Sequence, residues 1–333
     1  MKLKPLDQQI IVITGATSGI GLTTARMAAR EGARLVLFSR NEDALRELTD
    51  ELSAAGQRVV YAVGDVADEA ALRQAAQLAE RTFGGFDTWV NNAGVSIYGK
   101  ITDISIEDQR RLFETNFWGV VYGSRIAVEH LKARGGALIN VGSVLSDRAI
   151  SLQGTYSASK HAVKGFTEAL RMELEQDDLP VSVTLIKPSA INTPYPEHAK
   201  NYLDQEVTLP PPVFAPDLVA EAILHCAQTP VRDFTVGEGK MLAAMGQLAP
   251  RTTDKIMEKD IAGRQLKNAP KPHSRPDSLY APQSALQERG NYEGHVFEKS
   301  LFQQVKLHPL ATGAILAAGF ACGLLLSRSP GQS

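Results

Sequence analysis

From residue 10 to residue 237 the chain alternates between two patterns of apolar and polar positions. Short apolar runs rich in Val, Ile and Leu recur at 10–14, 34–38, 59–63, 88–91, 137–141, 181–186 and 234–236. They lack the polar alternation of a half-solvated strand, so each predicts a strand buried on both faces. Between them, 20–31, 42–55, 69–83, 106–132, 157–175 and 217–228 carry apolar residues at helical spacing. This alternation predicts a parallel sheet of about seven strands covered by helices, the doubly wound α/β class. The helices at 106–132 and 157–175 are long enough to need packing beyond the sheet, so they are expected to carry a subunit interface as well.

Two stretches break the pattern. "TPYPEHAKNYLDQEVTLPPPVFAP", residues 193–216, holds six prolines after a strand. It is expected to form a lid or wall over the carboxyl ends of the strands, where α/β proteins bind ligands, with a plain surface loop as the alternative. "LKNAPKPHSRPDSLYAPQSALQERGNYEGHVFEKS", residues 266–300, is polar, Pro-rich and without periodicity, and reads as a linker or extended arm. The organisation expected is a catalytic domain over 1–250, an arm over 251–305 and an apolar segment over 306–328.

Composition narrows the classes. Of 333 residues, 44% are hydrophobic and 22% charged, the balance of a soluble globular protein. A net charge of -2 with no Lys/Arg-rich block implies no general attraction to nucleic acid. The two cysteines, Cys226 and Cys322, form no CxxC, which fits a reducing compartment and argues against a disulfide framework or a zinc site. The seven histidines are scattered without ligand spacing, so no metal is expected. "MKLKPLDQQIIVITG" runs directly into a strand without a signal-peptide core, so export is not expected.

The chemistry lies at the strand ends. "TGATSGIG", residues 14–21, sits where the first strand hands over to the first helix. Its glycines, Gly15, Gly19 and Gly21, suit a tight turn and close phosphate approach, and the helix N-terminus offers unpaired N–H groups. Thr14, Thr17, Ser18 and Ile20 complete this candidate phosphate turn. The pattern is TGxxxGxG, without the GK[ST] of a nucleotide-hydrolysing loop. "LVLFSRNEDAL" ends the second strand with Ser39 and Arg40 where an acid would bind the ribose 2′-OH of NAD. A base without an acid favours the 2′-phosphate of NADP(H), against the plainer reading of a solvated arginine. In "VGDVAD", Asp65 and Val66 are candidates for the adenine, while Asp68 suits a helix cap. "NNAG" follows the fourth strand, and Asn92, Ala93 and Gly94 there allow the backbone to lie against a cofactor ribose. Asn116, in "ETNFWGV", is polar within an apolar helix and invites a reason, a satisfied buried amide being the simplest. Ser143 follows the fifth strand, thirteen residues before Tyr156 in "TYSASK", and Lys160 lies four residues beyond that on the same helical face. A cation beside a phenol lowers its pKa, so this pair is either a tuned proton donor or a surface contact.

Taken in order, TGATSGIG, Asp65, NNAG, Asn116, Ser143 and YSASK resemble the short-chain dehydrogenase/reductase family over about residues 8–240. The resemblance implies a Rossmann-type fold and NADP(H)-dependent hydride transfer between the nicotinamide and a carbonyl or secondary alcohol. It implies Tyr156 as general acid or base and Ser143 as the group holding the substrate oxygen. Lys160 would bind the ribose hydroxyls and lower the tyrosine pKa, and Asn116 would anchor a water relaying protons to Lys160. Pro188, Ile191 and Thr193 would meet the nicotinamide carboxamide, although "LIKPSAINTPY" has Ser189 where the family usually has glycine. Family members are commonly dimers or tetramers, and the C-terminal extension favours a homodimer here.

No Asp, Glu, Lys or Arg occurs between Lys306 and Arg328, a run of 21 residues. That is close to the length that crosses a bilayer, and Gly319 and Gly323 form a GxxxG. The stretch resembles the glycine-rich C-terminal anchors of small bacterial inner-membrane proteins that end in "GLLLSR". A tail anchor is expected, with the catalytic domain on the cytoplasmic side; a soluble helix packed on a partner is the alternative.

Overall fold

The computed structural model describes residues 1–237, 245, 248–272, 275–283, 286–300 and 303. Seven strands form one parallel sheet: β1 (Ile10–Thr14), β2 (Arg34–Ser39), β3 (Val59–Val63), β4 (Thr88–Asn91), β5 (Gly136–Val141), β6 (Val181–Pro188) and β7 (Asp233–Val236). Their order is β3-β2-β1-β4-β5-β6-β7, so the winding reverses between β1 and β4 and opens a crevice at their carboxyl ends. The crossover helices are α1 (Gly19–Arg30), α2 (Glu42–Ala54), α3 (Glu69–Phe83), α4 (Ile106–Phe113), α5 (Gly119–Arg134), α6 (Gly154–Gln176) and α7 (Pro216–Gln228).

The continuous apolar runs are explained by burial on both sheet faces. Ile11, Ile13, Leu35 and Leu37 pack with Leu22, Leu45, Leu48 and Val219 of α1, α2 and α7. Val12, Val36 and Phe38 face the other way, onto Leu72, Ile126 and Leu174 of α3, α5 and α6. Helix starts follow local chemistry: Asn41 accepts from the Ala44 N–H at 3.0 Å and Asp68 from the Ala70 N–H at 2.9 Å. Asp68 is thus the cap, leaving Asp65 for another role.

The helical run expected at 106–132 is continuous but contains a π turn, Glu114–Trp118, between α4 and α5. Such single-turn π segments favour functional positions. Trp118, at the end of the π turn just before α5, and Met172 of α6 are 41% and 57% exposed.

The Pro-rich segment after β6 is stapled by short pairings. Lys200–Asn201 pairs with Ile97–Tyr98, Gln205–Val207 with Leu266–Pro270, and Val213–Phe214 with both Ala190–Ile191 and Val296–Phe297. Beyond β7 the chain forms a helix at Pro250–Ile256, a π turn at Met257–Ile261 and a turn of helix at Ala262–Arg264. It then runs alongside the doubly wound domain, paired to it through Leu266–Pro270 and Val296–Phe297. The apolar helix expected at 306–328 lies outside the described residues. Among the described residues no helix is long and apolar enough to cross a membrane.

Candidate active site

The crevice at the reversal point is a cavity of about 320 Å³. It takes in every sequence-predicted cofactor residue except Thr14 and Gly21, which lie beneath it. Thr14 Oγ1 accepts from the N–H groups of Asn92 and Ala93 at 3.0 and 3.1 Å, tying β1 to the end of β4. Gly15 has φ +67°, and a Cβ there would stand 2.8 Å from Ala93 Cα. A Cβ at Gly21 would stand 2.1 Å from the Gly15 carbonyl oxygen. The turn therefore needs glycine twice, once for conformation and once for the close approach of helix to loop. At the start of α1 the Gly19 N–H donates to the Gln287 carbonyl at 2.8 Å, and the amides that follow it in the first turn precede the regular intrahelical ladder.

Beneath the floor, Asn91 Nδ2 donates to Asn140 Oδ1 at 2.9 Å and to Ser124 Oγ at 3.1 Å. Asn92 Nδ2 donates to the Thr14 carbonyl at 2.9 Å. These amides join β4 to its two neighbours, so the crevice edge is rigid.

At the far end of β2, Ser39 and Arg40 line the cleft as expected. Ser39 Oγ lies 2.9 Å from Thr17 Oγ1. Asp65, expected from the sequence to meet the adenine, is engaged by several neighbours. Its Oδ1 accepts from the Ala67 N–H at 3.0 Å, while its Oδ2 pairs with Arg111 and stands 3.7 Å from Arg40 Nη1. Two guanidinium groups face one carboxylate, and burial pulls the Arg40 pKa down. The surplus positive charge suits an added anion. Arg111 was not singled out by the sequence, because its pairing with Asp65 spans 46 positions.

At the end of β5, Ser143 caps a short turn, accepting at Oγ from the Leu145 N–H at 3.0 Å. Tyr156 stands in the first turn of α6, and the neighbouring Tyr195 and Ser143 hydroxyls pull its phenol downward. Burial outweighs them and pushes it up to about 12. Lys160, 4% exposed, is pushed down to about 8 by burial. Its Nζ donates to the Val141 carbonyl at 2.8 Å and lies 5.7 Å from the Tyr156 ring centre. The expected lowering of the phenol by Lys160 is thus not what this geometry gives. Desolvation dominates both groups, and the ammonium is turned to a carbonyl.

Asn116, in the π turn, does not line the cleft. Its Oδ1 accepts from the Val95 N–H at 2.8 Å, and its Nδ2 donates to the Val95 carbonyl at 2.9 Å and to Ser159 Oγ at 3.2 Å. This is the satisfied buried amide. It fixes the backbone after Gly94 to the helix that carries Tyr156 and Lys160.

Several site residues escaped the sequence reading. Tyr195, within the expected lid, packs edge-on against Tyr156 with ring centres 5.5 Å apart. Its hydroxyl accepts from Ser96 Oγ and donates to Gln153 Oε1, both at 2.7 Å. Gln153 follows Leu152, a non-glycine residue at φ +66°, which turns the chain into α6. Tyr98 joins this cluster at 6.3 Å from the Tyr195 ring. The only available signals were the tyrosines themselves, since their convergence depends on the path of the Pro-rich segment.

The departure at Ser189 has a simple explanation. Its φ is not in the left-handed region, so this backbone does not require glycine there. Among the described residues, Ser189 Oγ and Tyr98 Oη are buried without hydrogen-bond partners, and both residues line the cleft. Orphaned polar groups of this kind fit a site whose polar ligand completes them. No cluster of His, Cys, Asp or Glu suited to a metal occurs among the described residues.

Comparison with known proteins agrees with this geometry. Residues 9–202 match the family model described as short chain dehydrogenase. The chain is 47% identical over 321 residues to the uncharacterized oxidoreductase YxnA of Bacillus subtilis, covering 95% of this chain and 90% of that one. Its fold is similar to an alcohol dehydrogenase from Thermococcus sibiricus complexed with 5-hydroxy-NADP, with TM-score 0.60 and 28% identity, covering 68% of this chain and 94% of that one. It is similar also to L-sorbose reductase from Gluconobacter frateurii complexed with NADPH and L-sorbose, with TM-score 0.60 and 26% identity over the same shares of the two chains.

Proposed function

The chain belongs to the short-chain dehydrogenase family, and from that premise we propose that it is an NADP(H)-dependent oxidoreductase acting on a carbonyl or secondary alcohol. The observation that carries this reading is the convergence of Ser143, Tyr156 and Lys160 in the cleft that also contains the Gly-rich turn. The turn at Gly15–Gly21 and the early amides of α1 would hold the pyrophosphate. Pro188, Ile191 and Thr193 would meet the nicotinamide, with Ser189 Oγ available as an additional polar contact.

When bound, the reduced nicotinamide supplies a hydride to a carbonyl carbon. Ser143 Oγ holds the substrate oxygen beside Tyr156 Oη. With its pKa near 12, the Tyr156 phenol keeps its proton at neutral pH and is poised to donate it as the substrate oxygen gains charge. The buried Lys160 compensates that loss of a proton while it remains charged, below about pH 8. In the reverse direction the phenolate accepts the alcohol proton. Tyr195, Tyr98 and Gln153 bound the substrate end, so an oxygen-bearing substrate of modest size fits there.

Arg40 and Arg111 against the single Asp65, with Ser39 adjacent, support NADP(H) over NAD(H). The cofactors in the two similar structures support the same choice. Binding titrations of NADPH and NADH test it. The wild type is expected to prefer NADPH by tenfold or more, and Arg40→Asp to lose that preference. Equal affinities in the wild type would contradict the assignment.

We further propose a homodimer built on α5 and α6, which the exposed Trp118 and Met172 support. The uncharged run before Arg328 supports a membrane anchor with the enzyme on the cytoplasmic face, near apolar substrates.

A further inference from the structure

We infer that the described residues 275–283 and 286–300 form a strap across the cofactor cleft, and that it is the outer wall of the site for the adenosine half of a dinucleotide. The inference rests on the proposed nicotinamide-dinucleotide reading and assigns to that site a part of the chain beyond the matched residues 9–202.

The strap follows the cleft from end to end. The Ser278 N–H donates to the His198 carbonyl at 2.8 Å, beside the substrate end. At the end of β2, Arg40 Nη2 donates to the Ser278 carbonyl at 2.5 Å. Arg111 Nε donates to the Leu279 carbonyl at 3.0 Å, and Asn41 Nδ2 to the Gln283 carbonyl at 2.9 Å. Farther on, the Gly19 N–H of the phosphate turn donates to the Gln287 carbonyl at 2.8 Å. Arg40, Asn41 and Gly19 stand at the end of β2 and in the Gly-rich turn, which would flank the adenosine and the pyrophosphate.

Two observations make this a wall of the site and not a plug in it. Ser278, Pro282 and Gln283 line the same cavity that Gly15, Asp65 and Val66 line from the opposite side. The strap is also built to hold its position. Leu279 is 0% exposed, packed among Val95, Ile97, Ile104 and Leu112. Asp277 Oδ1 accepts from the Leu279 N–H at 2.9 Å, and Tyr280 Oη donates to Asp108 Oδ1 at 2.7 Å. Beyond the phosphate turn, Arg26 pairs with Glu288 at 2.7 Å, and Arg289 with Asp217 at 3.1 Å. Phe297 stacks near Phe214 with ring centres 5.4 Å apart.

A ligand between strap and sheet is contacted from both sides, so anchors such as Leu279 that hold the strap down slow its departure. Loosening the strap is therefore expected to speed cofactor exchange.

The test uses the full chain with NADPH as the probe. Hydrogen exchange is followed with and without NADPH. Slower exchange is expected both at 15–21 and at 275–283. Protection at 15–21 with no change at 275–283 would leave the cofactor reading intact and overturn the strap. No binding of NADPH or NADH to the wild type would overturn both. In stopped-flow displacement, Leu279→Ala is expected to release NADPH about tenfold faster than the wild type. An unchanged release rate in a folded Leu279→Ala protein would count against the strap in the same way.

Discussion

Tyr156 and Lys160 sit close together, yet each is governed more by loss of water than by its neighbour. The spacing of four residues correctly places both on one helix face, and both reach the cleft. What the spacing does not carry is the direction of the Lys160 amine, whose partner, Val141, is 19 positions away. A buried lysine with its pKa near 8 is charged at a cost in the folded state below that pH. The folded chain binds fewer protons than the unfolded chain between about pH 8 and 10.5, so stability from this group rises with pH across that window. The full difference is about 3 kcal/mol at 1.36 kcal/mol per pH unit. Wild type is thus expected to gain stability relative to Lys160→Met as pH rises from 8 to 10, by up to that amount. Urea unfolding of both proteins at each pH checks it, and a gap that stays constant with pH would contradict it. The same charge should register in turnover: carbonyl reduction is expected to decline above about pH 8, well before the phenol titrates.

At the scale of elements, the sheet and its crossover helices were legible because their signals are local. Doubly buried strands require unbroken apolar runs, and caps such as Asn41 and Asp68 announce helix starts. The π turn at Glu114–Trp118 was not legible, since nothing in the spacing of apolar residues marks one extra residue in a turn. Its purpose is visible only through Asn116, which satisfies both backbone groups of Val95. Asn116→Ala would leave a buried N–H and a buried carbonyl without that partner, at about 1–3 kcal/mol for each. A loss of about 3 kcal/mol in unfolding free energy is therefore expected, measurable from the denaturation midpoint. A loss below about 0.5 kcal/mol would mean that the amide is not the tie between α6 and the strand end.

At the scale of the described residues, the molecule is a doubly wound domain with residues 275–283 and 286–300 packed across its crevice. The prolines and polarity of the 266–300 stretch mark it in the sequence as non-periodic, but carry no information on where its described residues lie. Its contacts with Arg40, Asn41 and Gly19 span more than two hundred positions, and no local pattern encodes such pairings. The Pro-rich wall after β6 was likewise recognisable as a class, while Tyr195 emerged only from its path. For the run before Arg328, a chain ending at Gln304 is expected to leave the membrane pellet, whereas the full chain remains in it through a carbonate wash. Full-length protein released by that wash would argue against an anchor. The central claim is a proton donated by Tyr156 to a substrate oxygen held by Ser143, and its most direct measurement is NADPH oxidation against a panel of carbonyl compounds for wild type and Tyr156→Phe. The expected result is turnover in the wild type and a loss of at least a hundredfold in Tyr156→Phe, with NADPH affinity unchanged; turnover of Tyr156→Phe equal to the wild type would contradict it.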